Sequence, residues 1–207
     1  MQKSKKIGIF GGTFDPIHYG HLITAEHVRE KFDLNKVLFI PVGTPPHKNA
    51  RQVTAAEHRY NMVYCAVKDN PVFEVSRIEV DRIGYTYTAD TLSQLEQSYG
   101  PDVEFYFIIG ADVVSELLTW KDTEKVFRLC NFIAVFRPGY EREQFLEQIG
   151  FLKKTFSARI HTMDVPLIEI SSTEVRSRKR NNLSIRYLIP QAVEQYIYNN
   201  KLYHGDL

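Results

Sequence analysis

The chain has 207 residues, 43% of them hydrophobic and 25% charged, with a formal net charge of +1. This is ordinary globular composition, which excludes disordered and collagen-like chains, and the near-neutral balance excludes a general binder of nucleic acid while leaving room for a local phosphate site. No run approaches the 18 apolar residues of a membrane span, and the apolar run after Lys3, Lys5 and Lys6 is too short for a signal peptide, so a cytoplasmic location is expected.

In chain order, Lys6 to Phe10 reads as a short buried strand closed by Gly11-Gly12. His21 to Phe32 carries apolar residues at helical spacing (Leu22, Ala25, Val28, Phe32). Val37 to Val42 is a second apolar strand, ended by Gly43 and Pro45-Pro46. Thr54 to Lys68 predicts a helix, with Thr54 and Glu57 placed as a capping box and Met62, Val63, Ala66 and Val67 as its apolar stripe. Val72 to Val75 and Ile78 to Val80 are short strand candidates, and Thr88 to Tyr99 is helical.

Glu104 to Ile109 predicts another buried strand. Val113 to Leu118 and Thr123 to Leu129 read as short helices around Trp120. Phe132 to Phe136 is a strand ended by Pro138-Gly139, Arg142 to Lys154 a helix, and Arg159 to Met163 a strand. Ser172 to Arg180 is a polar helix, and Pro190 to Asn200 a last one with proline in its first turn. Strands alternating with helices of this length imply βαβ units on a parallel sheet. With no linker or repeat, residues 1–207 read as one domain, whose last part, about 172–207, is expected as a small helical subdomain on the sheet's edge. Cys65 and Cys130 lie outside any Cys/His cluster and read as reduced thiols.

Ligands of such sheets sit beyond the strands' C-terminal ends. The first strand is followed by Gly11-Gly12-Thr13-Phe14-Asp15-Pro16-Ile17-His18-Tyr19-Gly20-His21. The glycines let the backbone turn sharply and approach a ligand, and the helix that follows offers free N–H groups to phosphate. His18 and His21, three apart at the helix start, can lie on one side and donate to phosphate oxygens. A His-x-x-His pair can also bind zinc, but no third ligand accompanies it, so no protein metal site is read here. Near the other end, Ile170-Ser171-Ser172-Thr173-Glu174-Val175-Arg176 places a serine cap, hydroxyls and free N–H groups one turn ahead of a guanidinium, a set suited to phosphate.

These two stretches resemble the paired signatures of the nucleotidyltransferase superfamily, Gly-x-Phe-Asp-x-x-His-x-Gly-His and Ser-Ser/Thr-Thr-x-x-Arg. The likeness narrows to the bacterial nicotinate mononucleotide adenylyltransferases and spans nearly the whole chain. Its carriers are Pro41-Val42-Gly43-Thr44-Pro45-Pro46-His47-Lys48, Gly84-Tyr85-Thr86-Tyr87-Thr88-Ala89-Asp90-Thr91 with Thr86 where serine is usual, and Gly110-Ala111-Asp112 followed by Trp120-Lys121.

The resemblance implies an α/β fold, a Rossmann-like doubly wound parallel sheet with helices on both faces. It implies transfer of the adenylyl group of ATP to nicotinate mononucleotide, with pyrophosphate leaving in line. His18, His21 and Arg176 are expected in catalysis. ATP is expected against Gly11, Gly12, Thr13, Phe14, His18, Gly20, His21, Ile170, Ser171, Ser172, Thr173 and Arg176. The mononucleotide is expected against Lys48, Thr86, Tyr87, Thr88, Gly110, Asp112 and Trp120. In this scheme the Thr88 amide and hydroxyl meet the nicotinate carboxylate, Trp120 stacks on the pyridine ring, and Glu116 points away from that carboxylate. Mg²⁺ is expected mainly through ATP phosphates. No nucleic-acid or membrane partner is expected, and a homodimer stays open. The competing expectations are an enzyme for nicotinamide mononucleotide or phosphopantetheine, a cytidylyltransferase, a synthetase-like module and a non-catalytic nucleotide sensor.

Overall fold

The structure, a computed structural model, describes residues 4–45, 53–136, 141–166 and 168–204. Its strands are β1 (Lys5–Gly12), β2 (Lys36–Pro41), β3 (Phe73–Val75), β4 (Val103–Gly110), β5 (Asn131–Phe136) and β6 (Ile160–Asp164). They form one sheet in the order β3-β2-β1-β4-β5-β6, and every pairing is parallel. The chain winds outward from β1 through β2 to β3, then returns to place β4 on the other side of β1. A crevice opens beyond the C-terminal ends of β1 and β4, where the strand order reverses.

Alternation along the central strands explains the layers, because successive side chains point to opposite faces. Ile7, Ile9, Leu38, Ile40, Phe105, Phe107 and Phe132 share one buried cluster with α3 (Thr88–Tyr99), α5 (Thr123–Leu129) and α6 (Arg142–Phe156). Phe10, Val37, Phe39, Ile108, Ile133 and Val135 share the other with α1 (Tyr19–Phe32) and α2 (Ala56–Val67). Between β4 and α5 lie the single turn α4 (Ala111–Val114) and a 3₁₀ turn, Leu117–Thr119. No helix among the described residues is long and apolar enough to cross a membrane.

Several elements differ from their sequence expectation. The C-terminal helices α7 (Ser172–Arg180) and α8 (Gln191–Asn199) do not perch on the sheet's edge. Val175, Val193 and Ile197, all with 0% exposure, enter the core of the α1–α2 face. The His58 ring and the Asn61 amide of α2 both bond to Tyr196 Oη of α8, at 3.0 and 3.2 Å. Ile78 to Val80 is a turn, because Asp81 and Arg82 donate to the carbonyls of Arg77 and Glu79 instead of to a strand. The Thr54–Glu57 capping box does not form. The Thr54 N–H donates to Asp15, its carbonyl accepts from Arg59, and Glu57 pairs with Arg77. The helix expected over Val113 to Leu118 is split into α4 and the 3₁₀ turn.

Candidate active site

The β1–α1 loop brings together the residues singled out in sequence. His18, the cap residue of α1, donates its backbone N–H to His21 Nδ1 at 3.3 Å. With Nδ1 accepting, a neutral His21 carries its proton on Nε2, the arrangement a phosphate donor needs. The two rings stack at 3.7 Å between centroids, 27° from parallel. His21 lines the cleft, whereas His18 is only 3% exposed and lies behind it. Phe14, expected against ATP, is buried and presents its ring to the side of His21 at 5.1 Å. It therefore props the histidine. Its left-handed φ of 49° costs about 1–2 kcal/mol, offset by burial of the ring.

Glycine leaves room here for close side-chain approach. A Cβ on Gly12 would lie 3.0 Å from the Phe14 ring, and one on Gly20 would lie 3.0 Å from His18 Nδ1 and 3.7 Å from the Ile170 carbonyl. Gly20 thus leaves room for the His18 ring against the helix start, while the Ile170 carbonyl lies at ordinary contact distance.

The second stretch meets the first across 150 residues of sequence. Ser171 caps α7 by accepting from the Glu174 N–H at 3.1 Å. Ser172 Oγ donates to the Pro16 carbonyl at 2.8 Å. Arg176 Nη1 donates to the Asp15 carbonyl at 2.7 Å, and Nη2 to Thr173 Oγ1 at 3.4 Å. One edge of the guanidinium therefore grips the loop, and the start of α7 stands against the turn that carries His18 and His21.

The cleft itself encloses about 440 Å³, within the usual range of ligand sites. Gly11, Gly12, Thr13 and His21 line it from the end of β1 and the start of α1, and Thr88, Gly110, Asp112 and Trp120 from the start of α3 and the segment that ends β4 and follows it. Thr88 is the first residue of α3, whose cap is the backbone of Tyr87. Its N–H belongs to the first turn, where no intrahelical acceptor exists. Trp120 is half-buried and meets Phe107 edge-on at 5.9 Å. Tyr87 is covered by Lys121, with Nζ 4.4 Å from the ring centre. Asp112 is exposed, and so is Glu116, which does not line the cleft.

Thr86 departs from its expected place. It is 4% exposed, and both its N–H and its hydroxyl donate to the Thr44 carbonyl, at 3.1 and 3.3 Å. It ties the loop after β2 to the approach to α3, so its contribution to a ligand runs through that tie. Lys48, with Pro46 and His47, lies outside the described residues. Among the described residues no group of three or more His, Cys, Asp or Glu side chains is arranged to hold a metal ion.

Two buried ionisable residues by the cleft were missed in sequence. Arg59 is 1% exposed and donates to the carbonyls of Thr54, Thr13 and Gly43. A signal existed, because Arg59 precedes Met62 and Val63 by three and four residues and so falls on the apolar stripe of α2. Glu79 is 7% exposed, lines the cleft and accepts from the Thr91 hydroxyl at 2.7 Å. Burial pushes its carboxyl above the ordinary carboxylate range, with the Thr91 hydrogen bond and the Arg82 charge opposing. No pattern in the sequence marks it.

Comparison with known proteins gives the family and the fold. Residues 9–178 match the model of a family described as cytidylyltransferase-like. A Thermoanaerobacter sp. (strain X514) protein named probable nicotinate-nucleotide adenylyltransferase is 48% identical over 206 residues, spanning 100% of this chain and 98% of the relative. A Moorella thermoacetica protein of the same name is 52% identical over 202 residues, spanning 98% and 93%. Among solved structures, the Plasmodium falciparum nicotinic acid mononucleotide adenylyltransferase complexed with NaAD superposes with a TM-score of 0.77. It is 23% identical, over 96% of this chain and 97% of that one, a likeness of fold.

Proposed function

Since this chain belongs to the nicotinate-nucleotide adenylyltransferase family, we propose that it joins the adenylyl group of ATP to nicotinate mononucleotide, releasing pyrophosphate and forming nicotinate adenine dinucleotide. The observation that carries the reading is one cleft lined by two unlike sets of residues. A glycine-lined, histidine-bearing turn clamped by Arg176 lines it from β1 and α1, and the N-terminus of α3 and a tryptophan line it from α3 and the segment after β4.

The chemistry follows from the charges. The 5′-phosphate oxygen of the mononucleotide attacks the α-phosphorus of ATP, and the bond from that phosphorus to the bridging oxygen of pyrophosphate breaks in line. The nucleophile is already an anion, so no general base is required. Rate comes from positioning and from neutralising charge on the five-coordinate phosphorus. In this reading His21 donates to the transferring phosphoryl group, and His18 supports it by stacking. The Gly11-Gly12 and Thr13 backbone neighbours the α-phosphate. Ser172, Thr173 and Arg176 hold the leaving pyrophosphate. The family resemblance assigns Lys48 to a phosphate, and in this reading the Thr88 N–H meets the nicotinate carboxylate and Trp120 faces the pyridine ring.

Mg²⁺ would be carried mainly by the phosphates of ATP, and when bound it would supply positive charge to them. The donor set fits that limited role, since the exposed carboxylate of Asp112 lines the cleft and can hold a metal-bound water or a ribose hydroxyl. A cytoplasmic location, small-molecule substrates without nucleic acid, and an oligomeric state that admits a homodimer complete the reading.

The test incubates the purified protein with ATP, Mg²⁺ and, in separate tubes, nicotinate mononucleotide, nicotinamide mononucleotide and phosphopantetheine. Pyrophosphate is counted and the product weighed by mass spectrometry. The expected product is nicotinate adenine dinucleotide in equal amount to pyrophosphate. Tight ATP binding with no product from any tube would overturn the function and leave the fold.

A further inference from the structure

Behind the phosphate-facing loop lies a buried polar network that the reaction scheme does not use. Arg59 donates Nη1 to the Thr13 carbonyl at 2.9 Å, Nη2 to the Gly43 carbonyl at 2.9 Å and Nε to the Thr54 carbonyl at 2.8 Å. Thr13 follows β1 and Gly43 follows the neighbouring β2, so a single guanidinium spans the ends of two adjacent strands beside the cleft. Asp15, itself 5% exposed, completes the network. Its carboxylate accepts from the Tyr203 hydroxyl at 2.6 Å and from the Thr54 N–H at 3.2 Å, while its carbonyl accepts from Arg176.

A buried guanidinium is costly unless its donors are satisfied. Burial works against the Arg59 charge, and the nearby Asp15 carboxylate favours it. The arrangement has a consequence for anions. In a trans peptide the C=O and the following N–H point opposite ways. Drawing the Thr13 and Gly43 carbonyls onto Arg59 therefore turns the N–H groups of Phe14 and Thr44 to the side away from it. Two carbonyl dipoles that would repel phosphate are withdrawn, and the turn bearing His18 and His21 is held from behind.

We propose that Arg59 is a positioning residue for the phosphates of ATP, linked through Thr54 to Asp15 and to Tyr203 from the turn after α8. This rests on the reading of the cleft as an ATP site. It makes a residue of α2, and a tyrosine 188 positions beyond Asp15, part of the catalytic loop's support without contact to substrate.

The experiment compares ATP with adenosine, which has the base and ribose but no phosphate. Full-length wild type, Arg59→Lys, Arg59→Met and Tyr203→Phe are titrated with both ligands, well below each protein's Tm. Arg59→Lys keeps the charge but loses the planar fork. For both Arg59 variants we expect ATP affinity to fall about tenfold or more with adenosine affinity within twofold of wild type, and for Tyr203→Phe a fall of about threefold in ATP alone. A merely structural role would lower Tm and leave the ATP-to-adenosine ratio where it was, and that result would overturn the proposal. Should neither Arg59 variant fold, Tyr203→Phe decides: a shifted ratio supports the proposal, and an unshifted one overturns it. Wild-type turnover of nicotinate mononucleotide is measured beside these. If it fails while ATP binds, the proposed function falls and the ATP-to-adenosine comparison still reads.

Discussion

At the β1 end of the cleft the side chains are buried and tied to one another. His18 is 3% exposed, Phe14 packs against His21, and Arg59 from α2 and Arg176 and Ser172 from α7 hold main-chain carbonyls of the loop. At the β4 end Asp112 is exposed, Trp120 and Thr88 are half-buried, and Trp120 meets Phe107 edge-on. The difference follows the chemistry. Charge developing on a phosphoryl group is stabilised only by donors already in place, so the phosphate end is cross-braced. Recognition of a flat ring and one carboxylate needs a few groups on a wall, and those can change without disturbing the rest. The phosphate end should therefore govern kcat for every acceptor, and the β4 end should govern which acceptor is used.

The largest expected effect breaks that division if it fails. His21→Ala should lower kcat by about 10², the scale of losing one preorganised donor, and by the same factor with acid and amide mononucleotides. A loss below about threefold in steady-state kinetics would remove His21 from the chemistry. Next, Arg176→Ala should lower kcat/KM for ATP about 30-fold, on the scale of a lost charge-assisted hydrogen bond, with KM for the mononucleotide little changed. Trp120→Ala should act on the other axis. It should raise KM for nicotinate mononucleotide about 3–10-fold, the range of an aromatic contact, while kcat moves less than twofold. An effect on kcat larger than on KM would join the two ends into one unit.

The smallest effect concerns stability. Glu79 lies in the cleft wall with its carboxyl held above the ordinary range by burial. The native state thus keeps a proton that the unfolded chain releases in the ordinary carboxylate range. Its contribution to stability is complete below that range and is lost as pH rises through the raised value. Glu79→Gln keeps the shape without the ionisation. Its Tm relative to wild type should therefore become more favourable from pH 5 to pH 8, as followed by thermal melts across that range. A difference that stays flat with pH would show that the carboxyl does not ionise on unfolding in that range.

The contrast between the two ends also explains what was legible in sequence. The Gly11-Gly12 turn, the His18–His21 pair and the Ser171 cap are local devices, written in spacing and in residue type, and the structure joins the last to the first two. Apolar strands and helix stripes marked the βαβ order and the residues that enter the core. What stayed hidden depends on tertiary contact. Thr86 looked like a ligand residue and instead donates to Thr44. Phe14 sits in a recognisable motif, yet its ring supports His21 from within the core. Tyr203 reaches Asp15 only because α8 folds back over α2. Arg59 was half-legible, since a charge on an apolar stripe signals a buried partner without saying which. Glu79 falls within Ile78 to Val80, which reads as a short strand, and the turn that buries it is set by hydrogen bonds the sequence does not display.

The central claim is that the β4 end selects a carboxylate-bearing mononucleotide while the β1 end performs adenylyl transfer. The most direct test is kcat/KM of the wild-type protein for nicotinate mononucleotide against nicotinamide mononucleotide, at saturating ATP and Mg²⁺. A preference for the acid of at least about tenfold, the worth of one charge-assisted hydrogen bond, is the predicted result. Equal values for the two would contradict it, leaving an adenylyltransferase whose α3 N-terminus does not read the carboxylate.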